Sequence, residues 1–197
     1  MTKTSISNKI TEIDSFTKQH VKLTRYEHSV RVAEMCSLLC EKNGIDKDIG
    51  YMAGIGHDMC KDFSAEEMIA LAGKDGNPVE DYEIKTYKLL HGRAAAVLMK
   101  EQFGVDDMQV LEAVTHHTSG FAGMCDLSKI LFIADKIEPG RPQSTDEYRA
   151  RLLAMPLNEM FKTVFTENYK YIKKKGFCIY PATEKMVEYY DIKLDCQ

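Results

Sequence analysis

The sequence has no long apolar run. Its longest uninterrupted stretch of apolar residues extends only from Ala94 to Met99, whereas a helix that spans a lipid bilayer needs about 20 such residues. The polar stretch from Met1 to Asp14 also lacks the apolar core of a secretory signal peptide. We therefore expect a cytoplasmic protein. The 197 residues suit one hydrophobic core, so we predict a single domain over residues 1–197.

Paired cysteine motifs are also absent. The sequence has six cysteines, but none of them forms a Cys-x-x-Cys pair of the kind that builds a zinc site. Cys36 and Cys40 share one predicted helix face, yet no second pair is present to complete a tetrahedral site. We therefore expect reduced cysteines, and we interpret Cys36 and Cys40 as small residues of the core.

The sequence carries no excess of positive charge. Its 26 basic and 30 acidic residues give a net charge of −4, which argues against a broad nucleic-acid-binding surface. A small anionic substrate would therefore need cations that are placed locally at its binding site.

The sequence does contain a succession of helix signals, without a credible β-hairpin. Capping boxes predict helix starts at Thr24 and Ser64, and Asp46 and Asp106 are expected to cap two further helices. Pro156 opens a long amphipathic helix. These signals predict an all-α fold.

Loops are predicted at two stretches, Gly73 to Glu83 and Phe177 to Thr183, and a last helix is expected from about Glu184 to Lys193. Earlier in the chain, Gly50 and Gly54 fall on one helix face. Glycine lowers helix stability at such positions but allows another backbone to approach closely. We therefore expect a close helix contact on this face.

Polar residues at core-facing positions carry the main functional signal. His57 and Asp58 close a small apolar segment, where a buried imidazole and carboxylate are costly without a partner such as a metal ion. A single core histidine is more often satisfied by a backbone carbonyl, but several together form a plausible shell for two metal ions. The members of this set are His28, His57, Asp58, His91, His117 and Asp135. Such ligands suit iron, manganese or zinc, and Asp58 is the natural bridge.

Two neighbouring histidines differ in their helical phase. His117 shares a face with Val110 and Val114, whereas His116 is rotated by about 100° and lies above Gln109. We expect His117 to turn inward toward the other ligands. His116 should lie near the mouth of the site or in solvent.

One spaced pattern extends through the chain: a His, a His-Asp pair, two single His residues and a distant Asp. Its members are His28, His57-Asp58, His91, His117 and Asp135. This pattern resembles the binuclear branch of the HD-domain superfamily of metal-dependent phosphohydrolases. The chain is similar, more closely, to YqeK-type symmetrical bis(5'-nucleosyl)-tetraphosphatases from about Lys22 to about Thr183. The segments that carry this likeness are Arg25–Val30, His57–Lys61, His117–Gly120 and Ala134–Pro139.

The resemblance implies an HD-domain helical bundle with the C-terminal helices packed on it. It implies a hydrolase that cleaves diadenosine tetraphosphate and related dinucleoside polyphosphates to two ADP. It also implies two divalent or trivalent metal ions, most typically iron, with manganese or zinc as alternatives, which activate a hydroxide and orient phosphoryl oxygens. The implied partner is a small nucleotide, not nucleic acid or a membrane. Whether the protein forms a homodimer stays an open question.

The resemblance also implies roles for individual residues. Asp58 and Lys61 would be catalytic, and Lys61 and Arg141 would stabilise charge on the scissile phosphate. The implied substrate contacts are Arg25, Lys61, His91, His117, Thr118, Arg141, Cys178, Ile179, Tyr180, Pro181, Ala182 and Thr183. The chain departs from the family pattern at Lys136 and His116, which stand where tyrosine is common. We interpret Arg93 as an ordinary solvated cation.

Two alternatives remain open. The same kind of centre also serves other HD phosphohydrolases, so a nucleotidase, a cyclic-nucleotide hydrolase or an alarmone hydrolase would carry similar ligands. A non-catalytic nucleotide-sensing module would keep the bundle without turnover. The intact ligand set argues against the module, because buried unpaired His and Asp residues would destabilise a metal-free fold.

Overall fold

The structure is a computed structural model that describes residues 3–177 and 179–194. Over these ranges the chain is helical and has no strand, which confirms the predicted all-α fold. The helices are α1 (Lys3–His20), α2 (Leu23–Lys42), α3 (Lys47–Gly56), α4 (Ala65–Ala72), α5 (Asp81–Lys85), α6 (His91–Phe103), α7 (Met108–His116), α8 (Asp126–Ile137), α9 (Asp146–Leu153), α10 (Leu157–Lys174) and α11 (Pro181–Tyr189), with a 3₁₀ turn at Tyr87–Leu89. None of these helices is both long and apolar enough to cross a bilayer. The single domain stays a prediction.

Helix α8 lies at the centre of the bundle. It packs against α2, α3, α7 and α10, and its side chains Ile130, Leu131 and Phe132 are almost fully buried. Phe132 contacts Phe161 and Phe165 of α10, so a C-terminal helix packs on the bundle as expected. Helix α8 is apolar on nearly all sides and is therefore buried. A polar residue in its last turn, such as Asp135, consequently lies in the interior of the molecule.

Helices α2 and α3 approach each other closely at the two predicted glycines. A Cβ atom added at Gly54 would lie 2.5 Å from the Cα of Ala33, and one added at Gly50 would lie 2.5 Å from the Sγ of Cys40. No larger residue fits there without displacing a neighbour, which confirms the expected close contact. Cys36 and Cys40 are buried free thiols on this interface, as predicted. The C-terminal end of α3 is thereby held beside α2.

Three predicted helix starts are confirmed. The side chain of Asp46 caps α3 by accepting a hydrogen bond from the backbone N–H of Asp48. Ser64 and Glu67 form the reciprocal capping box that opens α4. Helix α10 begins directly after Pro156. Each of these starts is encoded within one turn of helix, which is why the sequence alone reveals it.

The predicted capping box at Thr24 is wrong. Helix α2 begins two residues earlier than a Thr24 cap would place it, with Lys22 as its N-cap and without a side-chain cap. The backbone N–H of Lys22 instead donates to a carboxylate oxygen of Asp62 at 2.8 Å. This start depends on a contact with a distant part of the chain, which the local sequence does not encode.

Three further predicted boundaries are shifted. Asp107, and not Asp106, caps α7 by accepting hydrogen bonds from two backbone N–H groups. The predicted loop from Gly73 to Glu83 ends early, because a capping box at its end starts α5. The last helix begins at Pro181 and not at Glu184, since proline is well suited to the first position of a helix. The extended loop before it is therefore shorter than predicted.

Candidate metal centre

The predicted ligands converge in the interior of the bundle. They come from α2 (His28), the C-terminal end of α3 (His57 and Asp58), the first residue of α6 (His91), the C-terminal end of α7 (His117) and the last turn of α8 (Asp135). All are buried except Asp135, whose side chain is 14% exposed. Residues that are far apart in the sequence therefore form one cluster.

Each of the four imidazoles is held through its Nδ1 atom. In His57, His91 and His117 this nitrogen lies 2.6 to 2.8 Å from the backbone carbonyl oxygen three residues earlier. In His28 it lies 3.1 Å from a carboxylate oxygen of Glu138. Because each of these partners is an acceptor, Nδ1 carries the proton and the lone pair of Nε2 faces the cluster.

The carboxylate of Asp58 lies between two pairs of histidines. Its Oδ1 is 3.0 Å from Nε2 of His91 and 3.6 Å from Nε2 of His117. Its Oδ2 is 3.7 Å from Nε2 of His57 and 4.0 Å from Nε2 of His28. Each pair forms a triad with Asp58 in which the donor atoms lie within 4.8 Å of one another. One carboxylate that serves two triads can bridge two metal ions.

A second carboxylate, Asp135, joins only one of the triads. Its Oδ1 lies 3.1 Å from Nε2 of His28 and 3.9 Å from Nε2 of His57. We call His28, His57, Asp58 and Asp135 the His28 subsite. The remaining triad is His91, His117 and Asp58, which we call the His91 subsite.

One buried atom of the cluster indicates directly that a cation fits here. His57 is fully buried, and its Nε2 has no hydrogen-bond partner among the described residues. A buried ring nitrogen without a partner is costly, and a cation would satisfy it. The surrounding imidazole nitrogens and carboxylate oxygens are the ligand types that suit iron, manganese or zinc.

The protonation states of Asp58, Asp135 and His57 also fit a metal centre. Burial alone would raise the pKa of Asp58, but the neighbouring imidazoles, His57 first among them, bring this pKa well below its ordinary value. For Asp135, burial is outweighed by the Lys136 ammonium and other donors, so that its pKa is also well below the usual range. Burial lowers the pKa of His57 to about 3. Ionised carboxylates and neutral imidazoles are the states that bind metal ions.

Three predicted phosphate-binding cations border this cluster. Arg25 donates to Oδ2 of Asp58 at 2.8 Å, and Arg141 donates to Oδ1 of Asp135 at 2.6 Å. The Nζ of Lys61 lies 3.9 Å from Oδ1 of Asp58 and 3.0 Å from a ring nitrogen of His91. These three side chains are between 25% and 34% exposed. They therefore form the side of the cluster that an anion can approach from solvent.

The sequence matches the HD-domain family over residues 25–140. The chain belongs to the HD-domain family. It is 32% identical to the symmetrical bis(5'-nucleosyl)-tetraphosphatase of Staphylococcus aureus, over 88% of this chain and 90% of that protein. It is also 32% identical to the protein of the same name from Bacillus subtilis, over 84% and 89% of the two chains.

A solved structure agrees with this assignment. The crystal structure of a predicted HD superfamily hydrolase involved in NAD metabolism, from Clostridium acetobutylicum, matches with a TM-score of 0.83 and 30% identity, over 91% of this chain and 95% of that one. The predicted HD-domain resemblance and helical bundle are therefore confirmed. The number and identity of the metal ions and the roles of single residues stay predictions.

A cavity of about 150 Å³ lies beside the ligand cluster and is lined by part of the predicted nucleotide-binding segment. Thr118 lines it and places its Oγ1 3.1 Å from Nε2 of His117. Tyr180 and Ala182 line the cavity as well. Thr183 anchors their segment by donating to a backbone carbonyl at 2.9 Å. The structure thus brings this part of the segment to the His91 subsite.

The other residues of the segment lie elsewhere. Ile179 is half-buried and packs against the core, and Pro181 is exposed at the first position of α11. Neither of them lines the cavity. Cys178 lies outside the described residues. Substrate contacts at these three positions stay predictions.

Arg93 is not the solvated cation that the sequence predicts. Its side chain is only 12% exposed and forms ion pairs with Asp75 at 2.7 Å and with Glu83 at 2.9 Å. It also lines the cavity, together with Tyr82 and other residues. The prediction was wrong because both carboxylates come from the segment before α6, whose position relative to α6 depends on tertiary packing.

The two neighbouring histidines separate as their helical phase predicts. His117 is buried in the cluster, whereas His116 is half-buried and lines the cavity. The ring of His116 lies against that of Phe121, with 4.6 Å between the ring centres. His116 therefore lies beside the cluster, and its Nε2 and Nδ1 atoms are not part of either triad.

Sequence reasoning missed one buried residue of this site, Glu138. It is 2% exposed, and it accepts hydrogen bonds from His28, Arg31 and the backbone N–H of Gly140. Burial alone would raise its pKa, but these donors lower it to about 2. The available signal was its place in the segment that resembles the family, one turn after Asp135. A carboxylate at the end of a helix is usually solvated, so its pattern does not reveal a buried role.

Proposed function

We propose that this HD-domain protein is a metal-dependent hydrolase that cleaves bis(5'-nucleosyl)-tetraphosphates symmetrically, and diadenosine tetraphosphate to two ADP. The names of the relatives from Staphylococcus aureus and Bacillus subtilis support the substrate. The observation that carries the reaction class is the Asp58 carboxylate, which serves two histidine triads. Two metal ions next to a phosphate group are a common arrangement for hydrolysis by in-line displacement.

The proposed cofactor is a pair of divalent or trivalent ions, one in the His28 subsite and one in the His91 subsite. Iron is the first choice because of the resemblance to the tetraphosphatases, and manganese or zinc would suit the same ligands. Bound ions would activate a water nucleophile and polarise phosphoryl oxygens. The protein's contribution is to hold four Nε2 atoms and two carboxylates in place through the hydrogen bonds described above.

Lys61, Arg25 and Arg141 would supply the local positive charge that a tetraphosphate requires. The chain has a net charge of −4, so binding of a polyanion depends on such a local group of cations. Their donor atoms contact the carboxylates of Asp58 and Asp135. A phosphate arriving at this face would offer the same donors charge-assisted hydrogen bonds. Lys61 also contacts a ligand of the His91 subsite, and we assign it to the scissile phosphate, where negative charge develops.

The cavity beside Thr118 would hold one nucleoside of the substrate. Its lining combines polar side chains with two aromatic rings, Tyr82 and Tyr180, whose centres lie 6.0 Å apart. Aromatic rings at this position can pack against a nucleobase. A nucleoside bound here would leave its phosphates directed toward the metal cluster through Thr118.

Chromatography of the products from diadenosine tetraphosphate and iron-loaded protein tests this proposal. We expect two ADP per substrate, and we expect an Asp58→Ala variant to form none. Equal amounts of ATP and AMP would contradict symmetric cleavage. If no product forms, the same assay with nucleoside monophosphates, cyclic nucleotides and alarmones distinguishes another HD hydrolase from a nucleotide-sensing module that does not turn over.

A further inference from the structure

The two subsites differ in the groups that orient their histidines. In the His91 subsite, both His91 and His117 donate from Nδ1 to backbone carbonyl oxygens, and His57 does the same. His28 differs, because it donates to the carboxylate of Glu138. A charged acceptor draws the Nδ1 proton more strongly than a carbonyl does, which makes the ring a more basic ligand at Nε2.

Glu138 is fixed in this position by hydrogen-bond donors at both of its oxygens. One of its oxygens accepts from Nδ1 of His28 at 3.1 Å. The other accepts from the Nε of Arg31 and from the backbone N–H of Gly140. Since the side chain is buried at the end of α8, it cannot turn away from His28 without losing these donors.

The negative charge of the two subsites is also unequal. Asp58 is common to both, but the His28 subsite contains Asp135 and has Glu138 directly behind one of its rings. Among the described residues, no carboxylate accepts a hydrogen bond from Nδ1 of His91 or His117. Arg31 and Arg141 offset part of the extra charge from the solvent side.

We propose that Glu138 is a positioning residue that makes the two subsites unequal. Acting through His28, it strengthens metal binding at the His28 subsite, which therefore fills first and empties last. The inference rests on the proposed two-ion centre, and it adds an order of binding that the ligand set does not contain by itself.

Titration of the metal-free full-length protein with Co²⁺, followed by visible absorption and calorimetry, tests this inference. Wild type should bind in two steps of different affinity. Glu138→Gln keeps the size of the side chain and removes its charge, so it should weaken the tighter step about 10- to 100-fold and leave the other unchanged. Glu138→Asp should recover part of the loss. The matched control Glu159→Gln makes the same change on the exposed side of α10 and should keep both steps.

Several outcomes would overturn the inference. These are two equal steps in wild type, equal weakening of both steps by Glu138→Gln, or an unchanged tight step in that variant. If Glu138→Gln does not fold, as judged by circular dichroism, the variants His28→Gln and His91→Gln are compared instead. The one ion that remains should be bound more tightly in His91→Gln than in His28→Gln. The reverse order contradicts the role of Glu138. Failure of wild type to bind any Co²⁺ would instead contradict the two-ion centre itself.

Discussion

At the scale of the residue, the centre depends on which nitrogen of each imidazole carries the proton. His57 and His117 each follow the last residue of a helix, where the final carbonyl groups have no helical N–H partner. Each ring donates to such a carbonyl, so that one hydrogen bond both satisfies the helix end and directs Nε2 into the cluster. Placing a ligand directly after a helix therefore determines its tautomer as well as its position.

Substitution of the two neighbouring histidines should have opposite effects. We predict that His117→Gln abolishes turnover and lowers the metal content, because it removes an Nε2 that faces Asp58 at 3.6 Å. His116→Gln should keep the metal content and change mainly KM, because His116 lines the cavity. Elemental analysis and steady-state kinetics of both variants provide the measurement. Loss of metal from His116→Gln, with full loading of His117→Gln, would show that the two roles are reversed.

Lys61 should act on the substrate and not on the metal. We predict that Lys61→Ala costs about 2 to 4 kcal/mol in kcat/KM, as the loss of other oxyanion donors does, with unchanged metal content. The control is Lys162→Ala on the exposed side of α10, which should behave as wild type. An activity of Lys61→Ala within about twofold of the control would make Lys61 an ordinary solvated cation.

The residue scale also shows what sequence can and cannot predict. The six candidate ligands were identifiable because each combines a chemically distinctive side chain with an apolar neighbourhood. Glu138 and Arg93 have equally specific contacts, but charged residues of these types are usually exposed. Their burial depends on Arg31 and Asp75 from other parts of the chain, and no local pattern contains that pairing.

At the scale of the element, helix starts with a local side-chain cap were predictable, whereas a helix start that depends on a tertiary contact was not. Asp46 and Ser64 act within one helical turn, whereas the start of α2 depends on Asp62. Helix α1 was not predicted, because its polar sequence hides the buried Ile6 and Ile13. The position of the segment before α6 was not predictable either, because it depends on the ion pairs of Arg93 with Asp75 and Glu83.

The ion pair between Asp75 and Arg93 should make stability depend on pH. Burial alone would raise the pKa of Asp75, but the hydrogen bonds from Arg93 and Asn77 bring it below its ordinary value of 3.8. A lowered pKa stabilises the fold above pH 3.8, and this contribution is lost as the pH falls through the folded-state pKa. We predict that Asp75→Asn lowers the free energy of unfolding by about 2 kcal/mol at pH 7, with a difference from wild type that shrinks below pH 3.8.

The control for this measurement is Asp106→Asn, since Asp106 is exposed and does not cap α7. Urea unfolding of the three proteins at several pH values should show almost no effect of the control substitution. A constant difference between Asp75→Asn and wild type down to the lowest pH would contradict the proposed ionisation of Asp75.

At the scale of the whole molecule, five helices bring the cluster together around a single carboxylate. The ligand set was predictable from sequence, but its division into two subsites was not, because the division depends on which oxygen of Asp58 faces which histidines. The adjoining cavity likewise depends on the packing of α5, α6 and α7 with Tyr180 and the first turn of α11. Such long-range arrangements leave no periodic signal in the sequence.

The number of metal ions per chain, measured by elemental analysis after loading and gel filtration, tests the central claim most directly. We predict two ions in wild type, one in His91→Ala, and none in Asp58→Ala, because Asp58 serves both subsites. A single ion in fully loaded wild type, or an Asp58→Ala variant that keeps both ions, would contradict a two-ion centre organised around Asp58.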